Sequence, residues 1–149
     1  MIGGGLFNQG TTSVSSCSVT KNQATSEGGG IATTSGSVTL TNCTVNANQA
    51  NGATALGGGI YVSDSTLEMQ NSTVNANRAN GTTALGGGIY ALDSMVTVEN
   101  STVNGNRANG SVLGEGGGIY SLNSFLTLLN SIVKGNKAST GFDDIFDGP

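Results

Sequence analysis

A Gly-Gly-Gly-apolar word recurs five times along the chain, and no other feature restricts the fold as strongly. It reads Gly3-Gly4-Gly5-Leu6, Gly28-Gly29-Gly30-Ile31, Gly57-Gly58-Gly59-Ile60, Gly86-Gly87-Gly88-Ile89 and Gly116-Gly117-Gly118-Ile119, with successive starts 25, 29, 29 and 30 residues apart. A second word, Val-x-x-Asn-x-Ala, follows each copy: Val19 to Ala24, Val45 to Ala50, Val74 to Ala79, Val103 to Ala108 and Val133 to Ala138. A fixed period of this length marks a repeat architecture, in which one unit cannot bury its own apolar face and stacking supplies the core.

Inside each repeat the apolar residues alternate with polar ones, which is the pattern of a strand. Leu67, Met69 and Val74 are apolar against Thr66, Glu68, Gln70 and Thr73, and the neighbouring copies repeat this with Val96, Val98 and Val103 and with Val38, Leu40 and Val45. Gly and Asn density opposes helix throughout. The chain therefore reads as one all-β domain, 1-149, a single-stranded parallel β-helix (β-solenoid) of about five coils with three short strands each. The coils are 3-27, 28-56, 57-85, 86-115 and 116-140, with a C-terminal cap at 141-149. Coils would stack about 4.8 Å apart. Ile31, Ile60, Ile89 and Ile119 then form one inward ladder, and Val19, Val45, Val74, Val103 and Val133 a second. Asn22, Asn48, Asn77, Asn106 and Asn136 form a third at a bend, where stacked amides bond along the axis. Asn51-Gly52, Asn80-Gly81 and Asn109-Gly110 read as turns in surface loops. Asp143-Asp144-Ile145-Phe146 occupies the phase of a sixth Gly-Gly-Ile-Tyr, so Phe142, Ile145 and Phe146 are expected to cover the last coil. The N-terminal coil has no comparable cover, so either the chain is a piece of a longer one or that sheet edge is expected to pair end to end with another molecule.

Composition narrows the function. Gly, Thr, Ser and Asn make up just over half of the 149 residues, and only 14 are charged. The absence of His removes the commonest general base and metal ligand, so no catalytic residue, metal or cofactor is expected. A net charge of -4 with five basic residues argues against nucleic acid as partner. No apolar run approaches the roughly 20 residues needed to insert in a bilayer.

The paired words resemble the GGA(I/V/L) and FxxN repeats of bacterial polymorphic outer membrane proteins and related right-handed parallel β-helix passengers. Here the first word is GGGI, and Val stands in place of Phe in the second. The resemblance spans all five repeats. It implies a right-handed coil, a secreted or cell-surface location, and an adhesive role within a larger passenger. No translocator barrel accompanies the repeats.

Several surface columns follow from the stacking. Thr44/Asn46, Thr73/Asn75 and Thr102/Asn104 point outward around an inward Val. They form a grid of about 6.7 Å along the strand by 4.8 Å between coils. This resembles the Thr-x-Thr arrays of ice-binding solenoids, although the flanking coils read Ser18/Thr20 and Ile132/Lys134. Ordinary strand polarity also produces it, since Thr is a good β-former. Tyr61, Tyr90 and Tyr120 follow the inward Ile and should face out beside Ala32 and Phe7 as an aromatic strip. Such a strip either stacks on sugars or merely braces strands. Gln49, Arg78, Arg107 and Lys137 make an outward basic column, able to touch an anionic glycan or simply snorkelling at a wet edge. Cys17 and Cys43 share a column with Ser72, Ser101 and Ser131. At about 4.8 Å they are close enough for a disulfide, the alternative being two free thiols. Glu68 and Glu99 are the best carboxylate pair for a polysaccharide lyase or hydrolase, but they are offset by one coil and one outward position. Asp64 and Asp93 share a turn column, and Asp143, Asp144 and Asp147 serve either a cation or the cap. The Asn-x-Ser/Thr sequons at Asn42, Asn71, Asn80, Asn100 and Asn109 recur because the repeat recurs. The leading expectation is a non-catalytic extracellular scaffold of adhesion type that binds a glycan or cell surface through flat outward ladders. Ice binding through the Thr-x-Asn face comes second and a carbohydrate-active enzyme third.

Overall fold

The computed structural model describes residues 2-149 and shows a parallel β-solenoid with no helix among them. Every strand pairs in parallel with its equivalent one coil away, which produces four sheets. The first sheet contains Leu6–Asn8, Ile31–Thr34, Ile60–Ser63, Ile89–Leu92, Ile119–Leu122 and Ile145–Gly148. The second contains Thr11–Ser15, Ser37–Thr41, Thr66–Gln70, Met95–Glu99 and Phe125–Leu129. The third contains Ser18–Thr20, Thr44–Asn46, Thr73–Asn75, Thr102–Asn104 and Ile132–Lys134. The fourth contains Gln23–Ala24, Gln49–Asn51, Arg78–Leu85, Arg107–Glu115 and Lys137–Ala138, with Thr54–Leu56 paired beside them.

The fourth sheet corrects the sequence reading of three strands joined by loops. Asn51, Asn80 and Asn109 are in register on paired strands, and Asn80-Gly81 and Asn109-Gly110 lie within continuous strands. Asn80 Nδ2 donates to Asn51 Oδ1 and Asn109 Nδ2 to Asn80 Oδ1, each at 2.8 Å. The turn signal survives as the break at Gly52-Ala53 between Gln49–Asn51 and Thr54–Leu56 and as a register shift between Gly81 and Thr83. Ala50, Ala55, Ala79, Ala84, Ala108 and Ala138 pack under this sheet as a small core of their own. Side chains this small suit so narrow a space.

The main core is the expected one. Ile31, Ile60, Ile89 and Ile119 stack in register and are fully buried, as are Val74 and Val103 of the valine ladder. Four corners separate the sheets, and nearly every corner in every coil is made by one residue with φ between +47° and +68°. Ser35, Asp64, Asp93 and Asn123 turn the first corner, and Ser16, Asn42, Asn71, Asn100 and Asn130 the second. Asn and Asp tolerate this left-handed conformation through local hydrogen bonding. The third corner is different: Lys21, Ala47 and Ala76 occupy a column that Gly105 and Gly135 complete. Left-handed φ costs an L-residue roughly 1–2 kcal/mol, against roughly 0.5–1 kcal/mol for the extra freedom of glycine. Ala76→Gly should therefore raise stability by about 0.5–1 kcal/mol, read as an increased urea midpoint at unchanged slope. A lowered midpoint would show that the corner carries no strain.

The asparagine ladder lines the coil just past the third corner. Asn48, Asn77 and Asn106 are completely buried. Each Nδ2 donates to the Oδ1 of the next asparagine (2.9–3.0 Å) and to a valine carbonyl one coil back, Val19, Val45 or Val74 (2.8–3.0 Å). Each Oδ1 also accepts the backbone N–H of the preceding asparagine at 2.9 Å. All four bonding positions of the amide are used, which is the condition for burying it. Asp144 closes the ladder, its Oδ1 accepting from Asn136 N and Nδ2 at 3.0 Å each.

The C-terminal cap covers less than the sequence suggested. Ile145–Gly148 pairs only with Ile119–Leu122 in the first sheet. Phe125–Leu129 and Ile132–Lys134 are uncovered outer strands, and Phe125, Leu129 and Ile132 are exposed. Phe146 continues the tyrosine stack, whereas Phe142 remains exposed.

Candidate functional site

The third sheet carries the Thr-x-Asn array as expected from register. Thr44, Thr73 and Thr102 align, Asn46, Asn75 and Asn104 align beside them, and Val45, Val74 and Val103 between them are buried. The strands are hydrogen-bonded above and below, so the outward columns form a rigid face three coils high. It is bounded by Thr20 on one side and by the exposed Ile132 on the other. One detail was invisible in the sequence: Oδ1 of Asn75 and Oδ1 of Asn104 are enclosed and have no hydrogen-bond donor. A buried acceptor left unpaired costs roughly 1–3 kcal/mol, so these two residues of one column gain from a donor.

The tyrosine strip is a correction. Tyr61, Tyr90 and Tyr120 do align, and their rings stack at 5.4 Å and within 3° of parallel, but they are only 6–8 % exposed. Leu56 and Leu85 on one flank and Leu92 and Leu122 on the other enclose them, with Phe146 on the end. The rings point away from the main core into a second apolar layer, so they present no open platform for a sugar. Burial raises the pKa of all three phenols, that of Tyr90 to about 12, with the adjacent Tyr61 and Tyr120 adding to the effect. The fold thus favours the neutral phenol. The stability it gains is complete below the ordinary value of 10 and disappears as pH rises towards about 12. For Tyr90 this amounts to about 1–2 kcal/mol after allowing for partial solvent contact. Urea unfolding between about pH 9 and pH 12 should show that loss, and Tyr90→Phe should reduce it. A pH-independent midpoint across this window would contradict the enclosure.

The cysteines do share a column, with Thr44 N–H bonded to the Cys17 carbonyl, but no disulfide joins them. Cys43 is buried, and its Sγ lies 3.3 Å from the carbonyls of Val14 and Thr41, whereas Cys17 is exposed. Below Cys43 the column becomes a serine ladder: the amides of Cys43, Ser72 and Ser101 donate to the hydroxyls of Ser72, Ser101 and Ser131.

The acidic residues form no compact group. Glu68 pairs across with Thr97, and Glu99 with Gln70, so the two carboxylates are diagonal neighbours. No group of three potential metal ligands is found among the described residues. Asp64 and Asp93 stand at the first corner beside an open groove of about 610 Å³ that Met95, Asn123 and Phe125 also line. Asp143 accepts from Ala138 N and from Lys137 Nζ, both at 2.9 Å, which holds its pKa below the usual carboxylate range. Asp147 accepts from the Ser121 hydroxyl at 2.6 Å. All three acids of the C-terminal segment are therefore engaged in closing the last coil.

This arrangement defines the class: a parallel β-solenoid whose surface is built of residue ladders. The family model for the right-handed β-helix region matches residues 1-94, more than half of the chain, and the protein belongs to that family. No curated protein and no solved structure matches the chain.

Proposed function

We propose that the protein is a non-catalytic extracellular surface scaffold of adhesion type that binds its ligand through flat outward ladders. The observation that carries this reading is the third-sheet face. Thr44, Thr73 and Thr102 and Asn46, Asn75 and Asn104 repeat in strict register on strands paired on both sides. Such a face is preorganised, so binding loses little to ordering it. The likeness of the repeat words to polymorphic outer membrane proteins supports a secreted or cell-surface location.

A second reading, ice binding, is favoured by the same grid, whose spacing of about 4.8 by 6.7 Å is that of a regular two-dimensional array. One comparison separates the two. Wild type and Thr73→Tyr are assayed for thermal hysteresis and ice-crystal shaping, and for binding to glycan arrays and intact cells. Glycan or cell binding that Thr73→Tyr weakens, without ice shaping, is the expected result. Faceted crystals with a freezing gap would replace the scaffold reading by the ice reading. New reducing ends or unsaturated products from a polysaccharide would overturn both.

A further inference from the structure

All five basic residues of the chain lie along one edge of the solenoid. Arg78, Arg107 and Lys137 are consecutive members of the first outward column of the fourth sheet, below Gln23 and Gln49. Lys134 ends the last outward column of the third sheet, below Asn46, Asn75 and Asn104. Lys21 turns the third corner between these columns in the first coil. The three columns fall within four successive positions of the repeat, 20 to 23 in the first coil, and every one of the five side chains is exposed.

Seven of the nine acids lie elsewhere. Asp64 and Asp93 stand at the first corner and Glu68 and Glu99 on the second sheet. Glu27 and Glu115 precede the glycine words. Only in the last coil do acids reach the basic edge: Asp143 pairs with Lys137, and Asp144 is engaged by Asn136. Lys137–Asp143 is the only ion pair among the described residues, so Arg78 and Arg107 have none. These two guanidinium groups belong to neighbouring strands about 4.8 Å apart, a mildly repulsive arrangement. The unpaired Oδ1 atoms of Asn75 and Asn104 belong to the same two coils, across the third corner.

We propose that this ridge binds a linear acidic glycan lying along the solenoid axis. Its carboxylate or sulfate groups pair with Arg78 and Arg107 and extend towards Lys137 and Lys134. The chemistry requires a chain ligand, because the cations repeat in one direction only and no pocket encloses them. It favours a glycan over a bare polyanion because the ridge alternates cations with amide columns. The exposed Asn109 and its partner Asn80 offer amide groups that match sugar hydroxyls. The net charge of -4 does not prevent this. The Debye length at physiological salt is about 8 Å, so the acids of the second sheet and the first corner are largely screened while the ridge is in contact. The proposal rests on the reading of outward ladders as the binding surface and names the ladder and the ligand class.

The test uses the full chain, wild type and the double variant Arg78→Gln/Arg107→Gln. Glutamine already fills this column at positions 23 and 49, so the fold should tolerate it. Binding to heparin and to polygalacturonate is measured by calorimetry against salt concentration, with neutral dextran and duplex DNA as competitors. The expected result is binding to at least one acidic glycan. The double variant should weaken it at least tenfold and lower the log–log salt slope by about one per arginine removed. A matched variant on the far side, Glu68→Gln/Asp93→Asn, should bind as wild type. Equal affinity of wild type and double variant would overturn the proposal, as would DNA binding as tight as glycan binding. Wild-type self-association that disappears in the double variant without any glycan would also overturn it, by identifying a second copy's acidic side as the partner. Binding to cells or neutral glycans with no binding to acidic ones would sink this proposal alone. Absence of all surface binding would sink the scaffold reading as well.

Discussion

Gly87→Ala is expected to abolish cooperative folding of the solenoid. Each glycine of the triplet is required for a different reason. Gly86 has φ +65°, a Cβ on Gly88 would lie 2.6 Å from the Gly118 carbonyl and 2.9 Å from Asn106 Nδ2, and a Cβ on Gly87 would run into the backbone of Arg107 and Gly117. That third case is the most severe. The obstructing atoms are main chain, of the Arg107 strand and of the Gly117 corner, both held by hydrogen bonds between coils, so neither can step aside as a flexible side chain would. Overpacking a core typically costs about 1–3 kcal/mol, and a collision with fixed backbone belongs above that range. Set against a total stability of roughly 5–15 kcal/mol for a domain, the loss is a large fraction. The repeat geometry aggravates it, because a defect in the fourth coil interrupts a stack whose coils contact only their neighbours. Gly10→Ala is the control: nothing lies within 4 Å of a Cβ there, and its φ is ordinary. Soluble yield and a sigmoidal urea transition for both variants decide the matter. A Gly87→Ala midpoint within about 1 kcal/mol of wild type would mean that the close approach is not as tight as described.

The same contact explains why the two sequence words keep phase. The third glycine of each triplet packs on the asparagine of its own coil: Gly30 on Asn48, Gly59 on Asn77, Gly88 on Asn106 and Gly118 on Asn136. The middle glycine packs on the main chain of the following residue, such as Gly58 on Arg78. Sequence inspection identified both words and their ladders, because a ladder is simply equal spacing. It did not show that the words touch across the coil, although the constant interval from glycine to asparagine in coils two to five was available as a signal. The cap position of Asp144 was legible for the same reason as the ladders, since its spacing from Asn136 repeats that of Gly30 from Asn22.

What the sequence concealed depended on columns that recur in only some of the coils. The tyrosines alternate correctly for outward-facing side chains, so alternation alone places them in solvent. Their enclosure comes from Leu56 and Leu85, which precede the glycine words, and from Leu92 and Leu122, which follow two residues after Tyr90 and Tyr120. No one-coil pattern links those positions to the rings. The fourth sheet was hidden because the linkers vary in length and contain Asn-Gly, ordinarily a turn pair. Here the glycine instead permits close contact between coils: a Cβ on Gly81 would collide with the Gly52 carbonyl. The Thr-x-Asn face and the basic column were both legible as columns. Their chemistry was not, since neither the unpaired Oδ1 atoms nor the absence of ion pairs at Arg78 and Arg107 follows from residue order.

The direction of the asparagine ladder yields the second large effect, an asymmetry between two substitutions of nearly identical size. At position 77 the side chain must both donate and accept. Nδ2 serves Val45 O and Asn106 Oδ1, while Oδ1 serves Asn48 N and Nδ2. Asn77→Asp keeps the two accepting bonds and loses both donated ones. It also sets a carboxylate oxygen against Asn106 Oδ1 in a fully buried position. Two forfeited buried hydrogen bonds and an enclosed charge together should cost about 4 kcal/mol or more. At the end of the ladder the requirement is only to accept, and Asp144 meets it through the single oxygen Oδ1. Asp144→Asn presents the same acceptor and should change stability by less than about 1 kcal/mol. The sign with pH provides an independent check. Burial raises the folded-state pKa of a carboxyl at position 77, so the introduced acid is least unfavourable when protonated. The deficit of Asn77→Asp relative to wild type should therefore shrink as pH falls towards the ordinary carboxylate range, because a protonated acid recovers one donor. Equal losses for the two substitutions, or a deficit that grows on acidification, would mean that the ladder has no polarity and that Asp144 ends it by position rather than by chemistry.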